Sequence, residues 1–148
     1  MITWRPIKEA DRKEYIAMAT AFYYSDAVLH PVPETYLEAT FNEMMRSDVY
    51  ALGQICECDG QIVGYALFAK TFSQEAGGLV LWVEELYVKE EFRGKGIGSR
   101  YLAELIRTLP EDIKRIRLET EPGNDRAVKL YQSLGFTFFD YGQMFLGN

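Results

Sequence analysis

Arg93-Gly94-Lys95-Gly96-Ile97-Gly98 is the stretch of this 148-residue chain whose residue types and spacing most directly suit chemistry. Glycines at 96 and 98 let backbone amides approach a ligand with no side chain in the way. The loop follows a strand-like run and opens a helix-like one. Unpaired amides and the positive end of a helix dipole therefore meet there, an arrangement that holds a phosphate. Arg93 and Lys95 add cationic side chains. A Walker A loop needs lysine then serine or threonine after its last glycine, and Ile97 and Ser99 flank Gly98 instead. The dinucleotide fingerprint GxGxxG fails because Gly94, Gly96 and Gly98 are spaced two apart. The kinase loop fails on the same spacing, and its DFG and HRD partners are absent. The bland alternative is a tight turn that binds nothing, and the strand-before, helix-after context argues against it.

Other chemistries are bounded by what is scarce. His30 is the sole histidine, so no Ser-His-Asp set can be assembled. The two cysteines, Cys56 and Cys58, share a strand face at a spacing awkward for a disulfide. With one distant histidine they make a poor zinc set, so no metal is expected. They read as reduced, buried or half-buried thiols of a cytoplasmic protein. The net charge of -6, from 22 acidic and 16 basic side chains, disfavours nucleic acid and anionic membranes and mildly favours a cationic partner. The cluster Lys114-Arg115-Ile116-Arg117 reads as a solvated strand face. The amino terminus lacks a signal-peptide run, and no stretch reaches the roughly 18 apolar residues of a membrane span.

A hydrophobic fraction of 48%, with ten Tyr and nine Phe, supplies one continuous core, so residues 1–148 read as a single domain. Ile2–Pro6 begins as a strand. Ala10 to about Phe22 has helical spacing, with Ile16, Ala19 and Tyr23 on one face. Tyr24–Pro33 is irregular, because Pro31 and Pro33 forbid ordinary helix. Pro33 then opens a second helix, whose stripe is Leu37, Phe41, Met44 and Met45. Tyr50–Glu57 and Ile62–Thr71 are strands joined at Asp59-Gly60, a hairpin signal. A turn around Glu75–Gly78 leads into the strand Leu79–Val88. Ile97–Leu109 is a helix with Ile97, Leu102, Leu105, Ile106 and Leu109 inward, stopped by Pro110. Ile113–Thr120 is a strand and Asn124–Leu134 a helix closed by Gly135. Phe136–Phe139 and Gln143–Leu146 are expected to close the sheet. The order β-α-α-β-β-β-α-β-α-β-β predicts an α/β (α+β mixed) fold: a mixed central sheet of about seven strands flanked by four helices, with a right-handed β-α-β crossover.

Glu84-Glu85-Leu86-Tyr87-Val88 followed by Glu91-Phe92-Arg93-Gly94-Lys95-Gly96-Ile97-Gly98 resembles the acetyl-CoA motif of the GCN5-related N-acetyltransferase (GNAT) superfamily. The hallmark positions of that motif are met by Arg93, Gly96 and Gly98. A second motif is met by Asn124, Ala127, Leu130, Tyr131 and Leu134-Gly135-Phe136. Residues 84–136 carry the likeness, and the element order extends it over the chain as the acyl-CoA N-acyltransferase fold.

The resemblance implies that acetyl-CoA is the co-substrate. The amides of Arg93, Gly94, Lys95, Gly96, Ile97, Gly98 and Ser99 would hold its pyrophosphate, and backbone groups of Leu86, Tyr87 and Val88 would pair with the pantetheine arm. Asn124 would hydrogen-bond that arm, near Ala127, and Tyr131 would stand by the thioester sulfur. Without the family, Asn124 reads as a helix N-cap and Tyr131 as a core aromatic. Acetyl transfer to an amine needs a neutral nucleophile and a proton for the leaving thiolate. A carboxylate can remove the amine proton, directly or through water, and a tyrosine hydroxyl can supply the other. Glu84 is favoured as the base over Glu85, and water alone is the other alternative to Glu84. Neighbours in a strand face opposite sides unless a bulge intervenes.

The acceptor site implied by the family lies at the first two helices and the loop joining them, with Tyr23, Tyr24, Asp26, His30 and Tyr36, beside Glu84. Aromatic faces and a carboxylate suit an ammonium. The same tyrosines also read as plain helix faces, and His30 as a loop residue. The expected activity is transfer of acetyl from acetyl-CoA to a primary amine of a small cationic acceptor. A non-catalytic acyl-CoA sensing module and a protein or peptide N-acetyltransferase are the alternatives. Met144, Phe145 and Leu146 in an exposed tail strand suit pairing across a two-fold, and a homodimer is expected.

Overall fold

A first strand at the amino terminus and four strands after position 50 make one five-stranded sheet in the order β1-β2-β3-β4-β5. The strands are β1 (Ile2–Pro6), β2 (Ala51–Cys58), β3 (Gln61–Ser73), β4 (Gly78–Val88) and β5 (Ile113–Leu118). The computed structural model describes residues 1–25 and 31–148. β1 to β4 are antiparallel neighbours, and β5 runs parallel to β4. Asp59 and Gly60, both at positive φ, make the tight β2–β3 turn that their types predict. The helices are α1 (Arg12–Tyr23), α2 (Glu34–Arg46), α3 (Ile97–Arg107) and α4 (Asp125–Ser133).

Two faces of the sheet are covered by different helices. Tyr15, Ile16, Met18 and Ala19 of α1 and Leu37, Phe41 and Met44 of α2 pack on Ile55, Tyr65, Leu67 and Tyr87. On the other face, Ile97 and Tyr101 of α3 cover Cys56, Val63, Ala66, Phe68 and Leu81. Tyr101 joins the predicted α3 stripe because its hydroxyl finds Gln54 of β2. Cys56 is buried, which pushes its thiol up to about 11, and Cys58 is half-buried; neither is in a disulfide.

The two expected closing strands do not form, so the described sheet has five strands rather than about seven. Alternation makes a strand only where a partner edge and a face to bury are present. Met144, Phe145 and Leu146 are fully exposed, and Phe138 and Tyr141 are exposed as well. The segment is anchored by side chains instead: the guanidinium groups of Arg115 and Arg117 lie 5.0 and 4.7 Å over the Phe139 ring. Asn148 donates to the Tyr36 hydroxyl at 3.0 Å. Arg117 also covers Trp82 at 4.2 Å and Arg115 pairs with Glu75 at 3.5 Å, so the basic cluster on β5 is not the plain solvated face its alternation suggested. No described helix is long and apolar enough to cross a membrane.

Candidate active site

The site begins where two parallel strands part. β4 pairs with β5 from Leu79↔Ile113 to Val83↔Leu118, and β4 then continues five residues to Val88 with no partner on that side. A cleft of about 740 Å³ opens at the split. It is lined from β4 by Val83–Leu86, from α1 by Phe22 and Tyr23, and from the far wall by Glu119, Glu121, Asn124, Ala127 and Tyr131. Leu86, Tyr87 and Val88 thus lie on an edge with no partner strand on the gap side, where the Val88 carbonyl accepts from Arg93. The Tyr87 side chain turns away, stacked on Tyr65 at 5.6 Å.

A bulge in β4 decides which carboxylate faces where. β3 pairs Leu67 with Glu85 and Phe68 with Val83, which leaves Glu84 as the extra residue. Val83 packs on the α3 face, and simple alternation would send Glu85 the same way. The inserted residue flips Glu85 to the α1 face. There it is 7% exposed, and its two oxygens accept hydrogen bonds from the hydroxyls of Tyr23 and Tyr65, the latter at 2.7 Å. Burial raises the Glu85 carboxyl above the usual range, and the two tyrosine hydroxyls oppose that rise. Glu84 opens onto the cleft. Its carboxyl is also raised, first by desolvation and then by Glu119 and Glu85.

The glycine loop sits at the same end of β4. A 3-10 turn over Glu90–Phe92 leads into it, and Gly96 takes the left-handed conformation, φ 72, as N-cap of α3. Gly94 is left-handed too, φ 77, and a Cβ built at either position meets nothing within 4 Å. The first-turn amides of α3 have no side-chain cap, so they remain donors for an anion. At Gly98 a Cβ would make only ordinary contact with the Leu86 side chain, at 3.5 Å, so close packing does not require glycine there. Ile97 is buried beneath the loop, and Ser99 lies in the first turn. Arg93 is not simply a free cation: its Nε donates to the Val88 carbonyl at 2.8 Å, with the guanidinium 5.5 Å over the Tyr87 ring. Lys95 reaches over Phe92 at 5.3 Å. Open space above left-handed glycines, bare helix amides and an unpaired strand edge together fit a pyrophosphate with an extended arm.

On the far wall Asn124 does cap α4, its Oδ1 accepting from the Ala127 amide at 3.2 Å, and it still borders the cleft. Tyr131 is half-buried against Phe136, centroids 5.9 Å apart, and burial raises its hydroxyl, which stays protonated at neutral pH. The structure therefore brings Glu84, Glu85, Leu86, Asn124, Ala127, Tyr131 and Tyr23 to one cleft. Tyr24 and Tyr36 do not line it; both are exposed on the surface. Asp26 and His30 lie outside the described residues. Tyr65, Phe22, Glu119 and Glu121 belong to the site without having been singled out from sequence. Tyr65 becomes relevant only through the β3–β4 register, and the two glutamates only through the strand split.

Residues 8–136 match the model of the Acetyltransferase (GNAT) family. The chain is 32% identical over 84 residues to the spermine/spermidine N(1)-acetyltransferase of Bacillus subtilis (strain 168), covering 54% of this chain and 55% of that protein. The match thus spans about half the length of that relative. A crystal structure of a possible acetyltransferase from Clostridium difficile 630 superposes with a TM-score of 0.83 at 20% identity, covering 100% of this chain and 98% of the other. AAC(6')-Iy in complex with the bisubstrate analog CoA-S-monomethyl-acetylneamine superposes with a TM-score of 0.79 at 17% identity, over 100% and 99% of the two chains. At these identities the superpositions establish the fold.

Proposed function

Because the chain belongs to the acetyltransferase (GNAT) family, we propose that it transfers an acetyl group from acetyl-CoA to a primary amine of a small cationic acceptor by direct attack in a ternary complex. The observation that carries this reading is the cleft at the β4–β5 split, lined by carboxylates and a protonated tyrosine, with the uncapped α3 amides at the same end of β4. The amides from Arg93 to Ser99 hold the pyrophosphate, the open edge of Leu86–Val88 pairs the pantetheine amides, and Asn124 and Ala127 border the arm. Bound there, acetyl-CoA supplies an activated carbonyl. Among Glu84, Glu119 and Glu121 an ammonium replaces like-charge crowding with attraction.

The acceptor amine must lose one proton before attack and another as the amide forms. A carboxylate on β4 accepts the first, which ends in solvent. Tyr131 donates its hydroxyl proton to the departing sulfur and regains one from the nitrogen, so the reaction releases one proton overall. The acetylated polyamine of the Bacillus relative supports a di- or polyamine acceptor, as does the net charge of -6. The free cysteines and acidic surface suit work in the cytoplasm without nucleic acid or membrane.

A homodimer completes this reading. β5 is a sheet edge, and the exposed Met144, Phe145 and Leu146 of the tail form an apolar run in solvent. Addition of this tail to the β5 edge of a second copy removes both liabilities.

The test is release of free thiol from acetyl-CoA with a panel of polyamines, lysine analogues, aminoglycosides and peptide amino termini, with mass spectrometry of the products. A product heavier by one acetyl group on a small polyamine is expected. Acetyl-CoA binding with no product from any acceptor would replace the enzyme by a sensing module.

A further inference from the structure

Glu85 is buried on the α1 face, and no lysine or arginine pairs with it among the described residues. Its carboxyl is instead clasped by two hydroxyls: Tyr65 from β3 on Oε1 at 2.7 Å, and Tyr23 from α1 on Oε2. Tyr65 is fully buried, edge-on to Tyr15 at 5.1 Å and stacked on Tyr87, so its hydroxyl has one fixed position. Tyr23 differs. It is half-buried, held edge-to-face by Phe22 at 5.1 Å, and it lines the cleft. Both Glu85 oxygens are occupied by hydroxyl donors, and the Tyr23 side chain lines the cleft beside them. The Tyr23 oxygen gives its proton to Glu85 and keeps lone pairs for a donor on the cleft side.

Resting on the acetyl-transfer reading of the cleft, we infer that Tyr23 relays the acceptor's ammonium proton to Glu85, with Tyr65 as the residue that positions the carboxylate for it. In the step, an N–H bond of the ammonium breaks as an O–H bond forms on Tyr23, whose own proton passes to Glu85 Oε2. Ammonium and carboxylate become amine and carboxylic acid, and the tyrosine is unchanged. After acetyl transfer Glu85 returns the proton by the same route to water. Glu84, exposed across the bulge and facing Glu119, is then left to hold the cation rather than to deprotonate it.

The titratable groups facing Glu85 are Tyr15 and Tyr23 from α1, Tyr65 from β3 and Glu84 from its own strand. Burial raises the Glu85 carboxyl, and the two clasping hydroxyls favour its anion. Loss of the Tyr65 hydroxyl therefore moves the Glu85 carboxyl further up.

The experiment is the pH profile of kcat/KM with acetyl-CoA and spermidine for wild type, Tyr65→Phe, Tyr23→Phe and Glu84→Gln, alongside acetyl-CoA titration of each. Tyr65→Phe is expected to move the acid limb up by about one pH unit and to keep the high-pH plateau within about threefold. Tyr23→Phe should lower the plateau about 100-fold with unchanged acetyl-CoA affinity. Glu84→Gln should raise the spermidine KM and leave the limb in place. An unmoved limb in Tyr65→Phe, a wild-type plateau in Tyr23→Phe, or loss of the limb in Glu84→Gln overturns the relay. A wild type that binds acetyl-CoA and leaves spermidine untouched overturns the polyamine transfer reading beneath it, a result distinct from all three.

Discussion

On the β4 wall of the cleft, Glu85 is 7% exposed behind two tyrosines, and Phe41, Tyr65 and Phe68 beneath it are at most 1% exposed. Across the gap, no described residue after Leu102 is buried, and α4 contributes none. One wall is therefore fixed by its own core, and the other has stripes of half-buried side chains and an apolar tail in solvent. Burial of a large apolar side chain is worth about 1.5–3 kcal/mol, so the β5–α4 side is held by far less. The comparison teaches where each task can sit. The buried carboxylate Glu85 and its tyrosine partners lie on the rigid wall, and Tyr131 lies on the softer one. Groups that close around a ligand lie on the wall that a ligand, and in our proposal a second subunit, would complete.

The largest way to break this contrast is through stability. Phe41→Ala, in the α1–α2 core, should cost about 3–5 kcal/mol in chemical unfolding, whereas Leu130→Ala on α4 should cost about 1 kcal/mol or less. Similar losses at both sites would erase the distinction. Next in size, Gly96→Trp should weaken acetyl-CoA binding at least ~100-fold by calorimetry, because it strains a left-handed position worth about 1 kcal/mol and fills the space above the α3 amides. Tyr131→Phe should lower kcat about tenfold or more with little change in acetyl-CoA affinity. Equal turnover would make Tyr131 a packing residue on the softer wall.

The smallest effect is a slope. The Glu85 carboxyl is raised in the folded protein, so the native state binds more protons than the unfolded one between the ordinary carboxylate value and that raised value. Stability contributed by this group is present below the window and falls as pH rises through it. Glu85→Gln, which is near in size and does not titrate but keeps only one acceptor oxygen for the two tyrosines, should flatten thermal stability against pH across that window relative to wild type. An identical slope in the variant would mean that Glu85 is not the raised group. Asp11, lowered chiefly by its Arg5 hydrogen bonds at 2.8 and 2.9 Å, has the opposite sign and is lost only in acid, so the two can be told apart.

Much of this was legible from residue types in order. The period switches near position 50, Asp59-Gly60 marks the hairpin, and Pro33, Pro110 and Gly135 punctuate helices because these signals act through local backbone preference. The glycine loop and Asn124 were legible for the same reason: turn, cap and bare amides are all short-range. What residue order left open was the face of each glutamate, since one inserted residue in β4 inverts the alternation after Val83 and sends Glu85 to Tyr23 and Tyr65. Tyr24 and Tyr36 were placed at the acceptor site by their position on the chain, and tertiary packing turned both outward. The tail read as two strands because alternation shows only that a segment can pair, and whether it does depends on an edge and a buried face supplied from elsewhere. Sequence by itself thus determined the elements up to α4, the turns between them and the anion-ready loop. Register, the strand split and the clasp around Glu85 were decided only in three dimensions, where residues 20 and 62 positions from Glu85 come within hydrogen-bond reach.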